Sequence, residues 1–154
     1  MMLVANWSVA YDCTTQSCLT RLYNSRITRA EYYTRPLAGS SSQSRKKRFT
    51  CARCTVCHAG IVVTTTSGKR WLIHKGDNYG SSDSSSDTVI TDADYMNSRW
   101  TRVRSTDIAP GRTVTVGEVL ARGNPDTGYN LLIDNCLHAA DKMWRFLTGR
   151  RWFC

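Results

Sequence analysis

The chain has 154 residues, and 21 basic against 12 acidic side chains give it a net charge of +9. This length suits one domain with a sizeable core, and no run of about 18 apolar residues predicts a membrane-spanning helix. The first ten residues lack the basic leader of a signal peptide. The positive charge favours an acidic partner, such as nucleic acid, anionic lipid or acidic protein, or is a solvated basic surface.

The seven cysteines are an odd number, and with no signal peptide in view they predict at least one free thiol. We therefore expect a reducing compartment and a cytoplasmic location. The cysteines are Cys13, Cys18, Cys51, Cys54, Cys57, Cys136 and Cys154.

Residues 1–50 are predicted to form an N-terminal extension, and residues 51–154 the main domain. Within the extension, residues 7–11 favour a strand, and residues 18–33 mix apolar and basic side chains in a way that favours a helix. Residues 38–50 are rich in serine and contain four consecutive basic side chains, which is typical of a polar linker.

The clearest β element is a hairpin. Residues 57–66 are rich in β-branched side chains and predict a buried strand, and residues 70–74 return as its partner. A three-residue loop at 67–69 pairs residue 62 with residue 74. A loop of that length places the two histidines of the hairpin on the same sheet face, whereas a two-residue loop places them on opposite faces.

The chain after the hairpin contains short elements. Residues 75–87 predict an exposed polar loop, residues 88–91 a short strand and residues 92–100 a helix. Residues 113–116 predict another strand, followed by a helical turn at 117–121. A hairpin, scattered short strands and a long C-terminal helix together indicate an α+β fold with a small antiparallel sheet packed against that helix.

The C-terminal helix is predicted to begin at Cys136, because Cys136, Ala140, Met143 and Leu147 recur with the period of one helix face. The aspartate and asparagine before it suit an N-terminal cap. A cysteine at this position meets backbone N–H groups and the positive end of the helix, which favour a thiolate. It is therefore a candidate nucleophile. The alternative is a small buried cysteine that only packs.

Two metal-centred interpretations use the cysteines before the hairpin. Cys54, Cys57 and His58 match the C-x-x-C-H pattern of haem attachment, but the following residues predict a strand rather than a haem-binding helix. Cys51, Cys54 and Cys57 supply three thiolates of a zinc site, with a histidine or an N-terminal cysteine as the fourth ligand. Because a second clear cysteine pair is missing, we prefer structural or redox-idle cysteines and predict no metal and no cofactor.

A nucleophilic Cys136 needs a base to take its proton. His138 is two residues away, about 200° around the helix, so it is predicted to point away from the thiol. His58 and His74 remain as candidates if the hairpin loop has three residues. The alternative is that each of these histidines forms separate structural hydrogen bonds.

These residues resemble the circularly permuted papain-like thiol enzymes of the NlpC-type superfamily, in which the histidine strand precedes the nucleophile helix. The spaced pair His58 and His74 and the Asn-Cys-x-His box are similar to the lecithin:retinol acyltransferase and phospholipase–acyltransferase branch. Residues 129–136 and 146–150 resemble the PPPDE branch of deSUMOylating and deubiquitinating isopeptidases. The resemblance is discontinuous and covers roughly residues 55–150.

The resemblance implies an acyl-enzyme mechanism with Cys136 as nucleophile, His58 as general base and His74 as the residue that orients His58. The expected substrates are peptide, isopeptide or related amide bonds. Ala139 departs from the aromatic residue usual in this box, which bears on the substrate. The alternatives are a lipid acyltransferase or phospholipase of the same fold, and a non-enzymatic basic module that binds nucleic acid through Arg45–Arg48 and the basic C-terminus.

Overall fold

The computed structural model describes residues 13–36, 57–76, 88–123 and 136–150. These residues form an α+β fold around one five-stranded antiparallel sheet with the strand order β4-β3-β2-β1-β5, which confirms the predicted α+β class. The permuted papain-like arrangement implied by the resemblance stays a prediction. The elements are α1 (Gln16–Tyr23), β1 (Ile27–Pro36), β2 (Cys57–Thr65), β3 (Arg70–Lys75), β4 (Thr88–Asp92), a 3-10 turn (Ala93–Tyr95), β5 (Thr101–Asp107), α2 (Val116–Arg122) and α3 (Cys136–Thr148).

The two faces of the sheet are packed differently. One face, which we call the helix-covered face, lies against α3 and carries the larger apolar core, including Ile61, Val63 and Met143. The opposite face carries a smaller cluster in which Val62 and Leu72 are buried beside the 3-10 turn. Because neighbouring residues of a strand point to opposite faces, β2 supplies buried side chains to both layers, which explains its continuous run of β-branched residues.

The hairpin of β2 and β3 is confirmed, but its register differs from the predicted one. Gly60 pairs with His74, and Val62 pairs with Leu72 rather than with His74. The loop therefore lies one residue earlier, and the backbone N–H of Thr65 donates to the carbonyl of Lys69 across 2.9 Å. The loop still spans three residues, so Gly60, which pairs with His74, lies two residues from His58. His58 and His74 therefore face the same side of the sheet.

The predicted helix at 18–33 is wrong over its second half. A helix covers Gln16–Tyr23, where the side chain of Thr15 accepts a hydrogen bond from the backbone of Cys18, but β1 follows from Ile27. β1 lies between β2 and β5, inside the sheet. It therefore shares the core with strands beyond residue 50, although the predicted domain boundary itself stays a prediction.

The region between β4 and α2 also differs from the sequence prediction. The helix predicted over 92–100 is reduced to the 3-10 turn Ala93–Tyr95, and β5, which was not predicted, follows at Thr101–Asp107. The strand predicted at 113–116 is an isolated bridge between Arg26 and Thr115. The helical turn predicted next is α2, which begins with a reciprocal capping box between Thr115 and Glu118.

Helix α3 is where the sequence placed it. It begins at Cys136, and the predicted stripe of Cys136, Ala140, Met143 and Leu147 is buried along its length. At its C-terminal end the guanidinium group of Arg112 donates to the carbonyls of Phe146 and Leu147, which otherwise have no partner within the helix. The helix is thus fixed at the end opposite to the cysteine.

The cysteines divide into bonded and free thiols. Cys13 and Cys18 form a disulfide, and Cys57 is disulfide-bonded as well. Cys136 is not in a disulfide, in agreement with the odd cysteine count, which predicted at least one thiol outside a disulfide. Disulfides are typical of oxidising compartments, so they weigh against the expected reducing environment, and the cytoplasmic location stays a prediction. None of the described helices is long and apolar enough to cross a membrane.

Candidate active site

Two histidines meet on the sheet face opposite to α3. His58 stands near the start of β2 and His74 near the end of β3, and the two side chains share the face of Val62 and Leu72. Nε2 of His58 lies 2.9 Å from Nδ1 of His74, with the two rings nearly perpendicular at 82°. We call this face the histidine face. The structure therefore joins the two histidines that the three-residue loop predicted to lie on the same sheet face.

The histidine pair lies in a desolvated environment. His58 is 5% exposed and His74 is 3% exposed. Burial lowers the pKa of His58 to about 3, and the neighbouring His74 and the positive charge of Arg35 act in the same direction. His58 is therefore neutral at physiological pH, and the low pKa makes its buried ring a weak base in this environment.

Trp100 and Arg35 complete the surroundings of the pair. The indole of Trp100 lies 5.5 Å from the ring of His58 and 6.4 Å from that of His74, measured between centroids. The guanidinium carbon of Arg35 lies 5.0 Å from the centroid of Trp100, in cation–π contact, and Arg35 pairs with His58 across β1 and β2. Sequence reasoning missed both residues, since their elements, β1 and the segment before β5, were not recognised as parts of the sheet.

Cys136 lies at the first turn of α3 and is 3% exposed. Its Sγ donates to the carbonyl oxygen of Cys57 across 3.6 Å. That carbonyl belongs to the residue immediately before His58, so the thiol reaches the backbone of the strand that carries His58. The side chain of Cys57 points to the helix-covered face, whereas that of His58 points to the histidine face.

The structure brings the three predicted site residues to one end of β2 but does not connect all of them. Among the described residues, no hydrogen bond joins Sγ of Cys136 to either ring nitrogen of His58. His138 is exposed on α3, as the helix geometry predicted. The assignment of Cys136, His58 and His74 as a catalytic set stays a prediction, supported by the paired histidines and the placement of the thiol.

The metal-centred interpretations receive no support. Cys51 and Cys54 lie outside the described residues, as do the basic run Arg45–Arg48 and the two residues predicted to cap α3. Cys57 is in a disulfide and in that state offers no thiolate to zinc or haem. Within the described ranges, no group of three or more histidine, cysteine or acidic side chains is arranged to hold a metal ion.

A cleft of about 540 Å³ lies between β5 and the C-terminal end of α3, where Arg104, Arg112 and Trp144 contribute to its walls. α3 rises about 18 Å between Cys136 and Thr148. The cleft is therefore at the other end of the helix from the thiol and is not part of the candidate active site.

Comparisons with protein-family models, with curated proteins and with solved structures found no significant match to this chain.

Proposed function

We propose that the protein is a cysteine hydrolase that cleaves peptide, isopeptide or related amide bonds through an acyl-enzyme intermediate. The observation that carries this proposal is the 2.9 Å hydrogen bond between His58 Nε2 and His74 Nδ1, together with the Cys136 thiol that donates to the backbone of Cys57, the residue before His58. A base held by a second polar residue, close to a nucleophile at a helix N-terminus, is the arrangement that covalent catalysis by a thiol requires.

The contact between the histidines assigns their tautomers within this mechanism. For His58 to accept a proton at Nδ1, its Nε2 must carry the hydrogen, and that hydrogen is then donated to Nδ1 of His74. His74 therefore carries its own hydrogen on Nε2. Its role is to hold the ring of His58 in one orientation, with the unprotonated nitrogen available to the thiol.

The reaction begins with the thiol bound to the Cys57 carbonyl. This mechanism requires Sγ of Cys136 to leave this carbonyl and reach Nδ1 of His58 around the end of β2, because the thiol lies on the helix-covered side and the ring on the histidine face. Nδ1 then takes the thiol proton as sulfur attacks the substrate carbonyl carbon. The tetrahedral intermediate collapses with cleavage of the carbon–nitrogen bond, and His58 returns the proton to the leaving amine. Water, activated by His58, then hydrolyses the thioester and regenerates the thiol.

Backbone N–H groups at the start of α3 supply oxyanion stabilisation in this proposal. The helix runs for 13 residues from Cys136, so its N-terminal N–H groups have no carbonyl partner within the helix and carry partial positive charge. Donors of this kind stabilise the negative oxygen of a tetrahedral intermediate.

The first test is site-selective alkylation. Native protein treated with substoichiometric iodoacetamide over a range of pH is expected to be modified preferentially at Cys136, as mapped by mass spectrometry. His58→Ala is expected to slow this reaction, because the thiol loses its base. His138→Ala is the matched control, since it removes a histidine two residues from Cys136 that is exposed on α3. Equal labelling of all free thiols, or equal effects of the two variants, contradicts the proposal.

One observation favours a second candidate, a lipid acyltransferase or phospholipase of similar fold. A histidine as third residue is a feature of the lecithin:retinol acyltransferase branch, and His74 occupies that role in the hydrogen-bonded pair. Substrate assays distinguish the two candidates. The peptidase candidate is expected to cleave fluorogenic peptide amides and isopeptides, and the lipid enzyme to act on fluorescent phosphatidylcholine in vesicles. Either activity must disappear in Cys136→Ser. A non-enzymatic module predicts neither activity and a nucleic-acid affinity that Cys136→Ala leaves unchanged.

A further inference from the structure

The histidine face carries a set of arginines arranged around one buried carboxylate. Glu31 of β1 is 4% exposed, and its two carboxylate oxygens accept hydrogen bonds from Arg102 at 2.9 Å and from Arg70 at 2.8 Å. Nε of Arg29 lies 4.0 Å from the same carboxylate. We call Arg29, Arg70 and Arg102 the arginine cluster.

The Glu31 carboxylate orients the arginines and leaves some of their N–H donors unused. Burial alone would raise the pKa of Glu31, but the hydrogen bonds and charges of Arg102 and Arg70 outweigh burial, and the pKa is lowered. Glu31 is therefore ionised at neutral pH and orients the guanidinium groups. A guanidinium has five N–H donors, and the side chains of Arg29, Arg70 and Arg102 are 39%, 45% and 55% exposed. Donors remain on the solvent side of each group.

The cluster is positioned relative to the candidate active site by the register of β1. Arg35 pairs with His58, and Glu31 lies four residues earlier on the same strand and on the same face. At about 3.3 Å per residue, the cluster is roughly 13 Å from the histidine pair, which is the length of four residues of extended chain. The cluster and Arg35 together supply four guanidinium groups, and their acidic partners are two carboxylates, Glu31 and the Asp107 bonded to Arg29, so the net charge of these groups is positive.

We infer that the arginine cluster is a docking site for an acidic segment of a polypeptide substrate whose scissile carbonyl reaches Cys136. The inference rests on the proposed function and names the substrate class for that site. Guanidinium groups bind carboxylates through paired, charge-assisted hydrogen bonds. The cluster draws its guanidinium groups from β1, β3 and β5 around Glu31, so it offers several of them to the acidic side chains of one peptide segment.

The surface favours a polypeptide over a lipid bilayer as the occupant. Among the described residues, Tyr95 is the one large apolar side chain that is exposed, so this part of the chain offers no apolar patch to insert between lipids. A nucleic acid backbone has no amide or acyl bond for a thiol hydrolase to cleave. An acidic polypeptide satisfies both the charge and the chemistry.

The test measures binding of fluorescein-labelled octaglutamate to the Cys136→Ala protein by fluorescence anisotropy. We expect binding that weakens with added salt, and no binding of octaglutamine. Arg102→Gln is expected to weaken binding about tenfold, the loss of one charge-assisted contact. Arg102→Lys, which keeps the positive charge beside Glu31, is expected to recover most of the affinity.

Arg104→Gln is the matched control, because Arg104 is an exposed arginine two residues further along β5 that lines the distant cleft. It is expected to change the affinity less than twofold, roughly the limit for an exposed charge outside the contact. Equal weakening by Arg102→Gln and Arg104→Gln overturns the inference, since the peptide is then attracted by overall charge. Tighter Arg102-dependent binding of phosphatidylserine vesicles or octathymidylate also overturns it.

The failure of this inference is distinguishable from failure of the proposed function. Iodoacetamide is small and uncharged, so its reaction with Cys136 does not depend on the arginine cluster. Octaglutamate that does not bind, together with His58-dependent alkylation of Cys136, rejects the docking site and leaves the hydrolase proposal standing. Arg102-dependent binding of octaglutamate without selective alkylation of Cys136 rejects the hydrolase proposal and leaves the arginine cluster as a binding site for acidic peptide.

Discussion

The two faces of the sheet use the same strands for different purposes. On the helix-covered face, Ile61 and Val63 of β2 join an apolar layer that packs against α3. On the histidine face, Val62 belongs to a small cluster, and the neighbouring positions carry a histidine pair and an ion-pair network. The comparison indicates that stability comes mainly from one face, which leaves the other free to hold polar groups whose burial is costly.

The largest expected effect is acid destabilisation through the histidine face. The pKa of His58 is about 3 in the folded protein, against an ordinary value near 6.5 in the unfolded chain. Between these values the unfolded chain binds the proton and the folded protein does not, so the free energy of unfolding falls as pH falls. The slope is about 1.4 kcal/mol per pH unit, or roughly 2 to 3 kcal/mol between about pH 7 and about pH 4.5.

Urea unfolding at these two pH values measures the effect. His58→Gln removes the titrating group and is expected to flatten the pH dependence, whereas His138→Gln, at an exposed histidine on α3, is expected to leave it unchanged. Below about pH 4.5, protonation of Glu31 adds a second loss, because its folded pKa is lowered and its ion pairs end when it is neutralised. An unaltered slope in His58→Gln would count against burial as the cause.

A matched pair of valines compares the packing of the two faces directly. Val62 and Val63 are adjacent on β2, and each is 0% exposed. Truncation of either to alanine loses about 1.6 kcal/mol of transfer free energy, and the remaining cost depends on how well the site collapses. Val63→Ala is expected to cost about 2–3 kcal/mol in urea unfolding, and Val62→Ala about 1–2 kcal/mol. Equal costs would mean that both faces pack with the same rigidity.

The substitution with the smallest expected effect on stability, at Gly60, tests whether the contact between the two histidines depends on close packing of β2 and β3. A Cβ at Gly60 would lie 2.8 Å from Cδ1 of Leu72, 3.0 Å from Cβ of His74 and 3.1 Å from the carbonyl oxygen of Ile73. Gly60→Ala is therefore expected to cost about 1–2 kcal/mol and to displace His74 from His58. The displacement is expected to slow iodoacetamide labelling of Cys136.

Gly68→Ala is the control for that displacement. Gly68 has a φ of 82° and nothing within 4 Å of an added Cβ, so alanine costs backbone strain of about 1 kcal/mol without moving a neighbour. Its labelling rate is expected to equal that of the unaltered protein. If Gly68→Ala slows labelling as much as Gly60→Ala, the effect belongs to stability rather than to the histidine pair.

The elements that the sequence predicted well are those whose apolar residues follow one clear pattern over a short stretch of chain. The run of β-branched residues in β2 and the stripe of α3 come from burial against the core and are visible in a short window. The predicted hairpin register was wrong, but the prediction that His58 and His74 share a face was not affected. Moving a three-residue loop by one position keeps both residues on the same face. The candidate nucleophile and its two histidines were therefore identifiable from the sequence.

The residues that the sequence missed belong to strands with polar faces. β1 carries Arg29, Glu31 and Arg35 towards the histidine face and Ala30 and Tyr32 towards the helix-covered face, but this alternation is short and is followed by two adjacent tyrosines, Tyr32 and Tyr33. β5 carries Arg102 and Arg104 and is the edge strand of the sheet beside β1. Their charges are satisfied by partners 39 to 78 residues away in sequence, such as Arg70 with Glu31 and Arg29 with Asp107, and such pairings leave no local pattern.

The insertion of β1 between β2 and β5 also sets an order for assembly of the sheet. β2 and β3 close a local hairpin. β1 first meets β2 across 21 residues, for Pro36 with Cys57, and β5 first meets β1 across 67 residues, for Thr34 with Thr101. Longer closures cost more chain entropy and slow the search. We expect mutations in the hairpin to change the folding rate and mutations in β5 to change mainly the unfolding rate, so the arginine cluster forms after the histidine pair in each folding event.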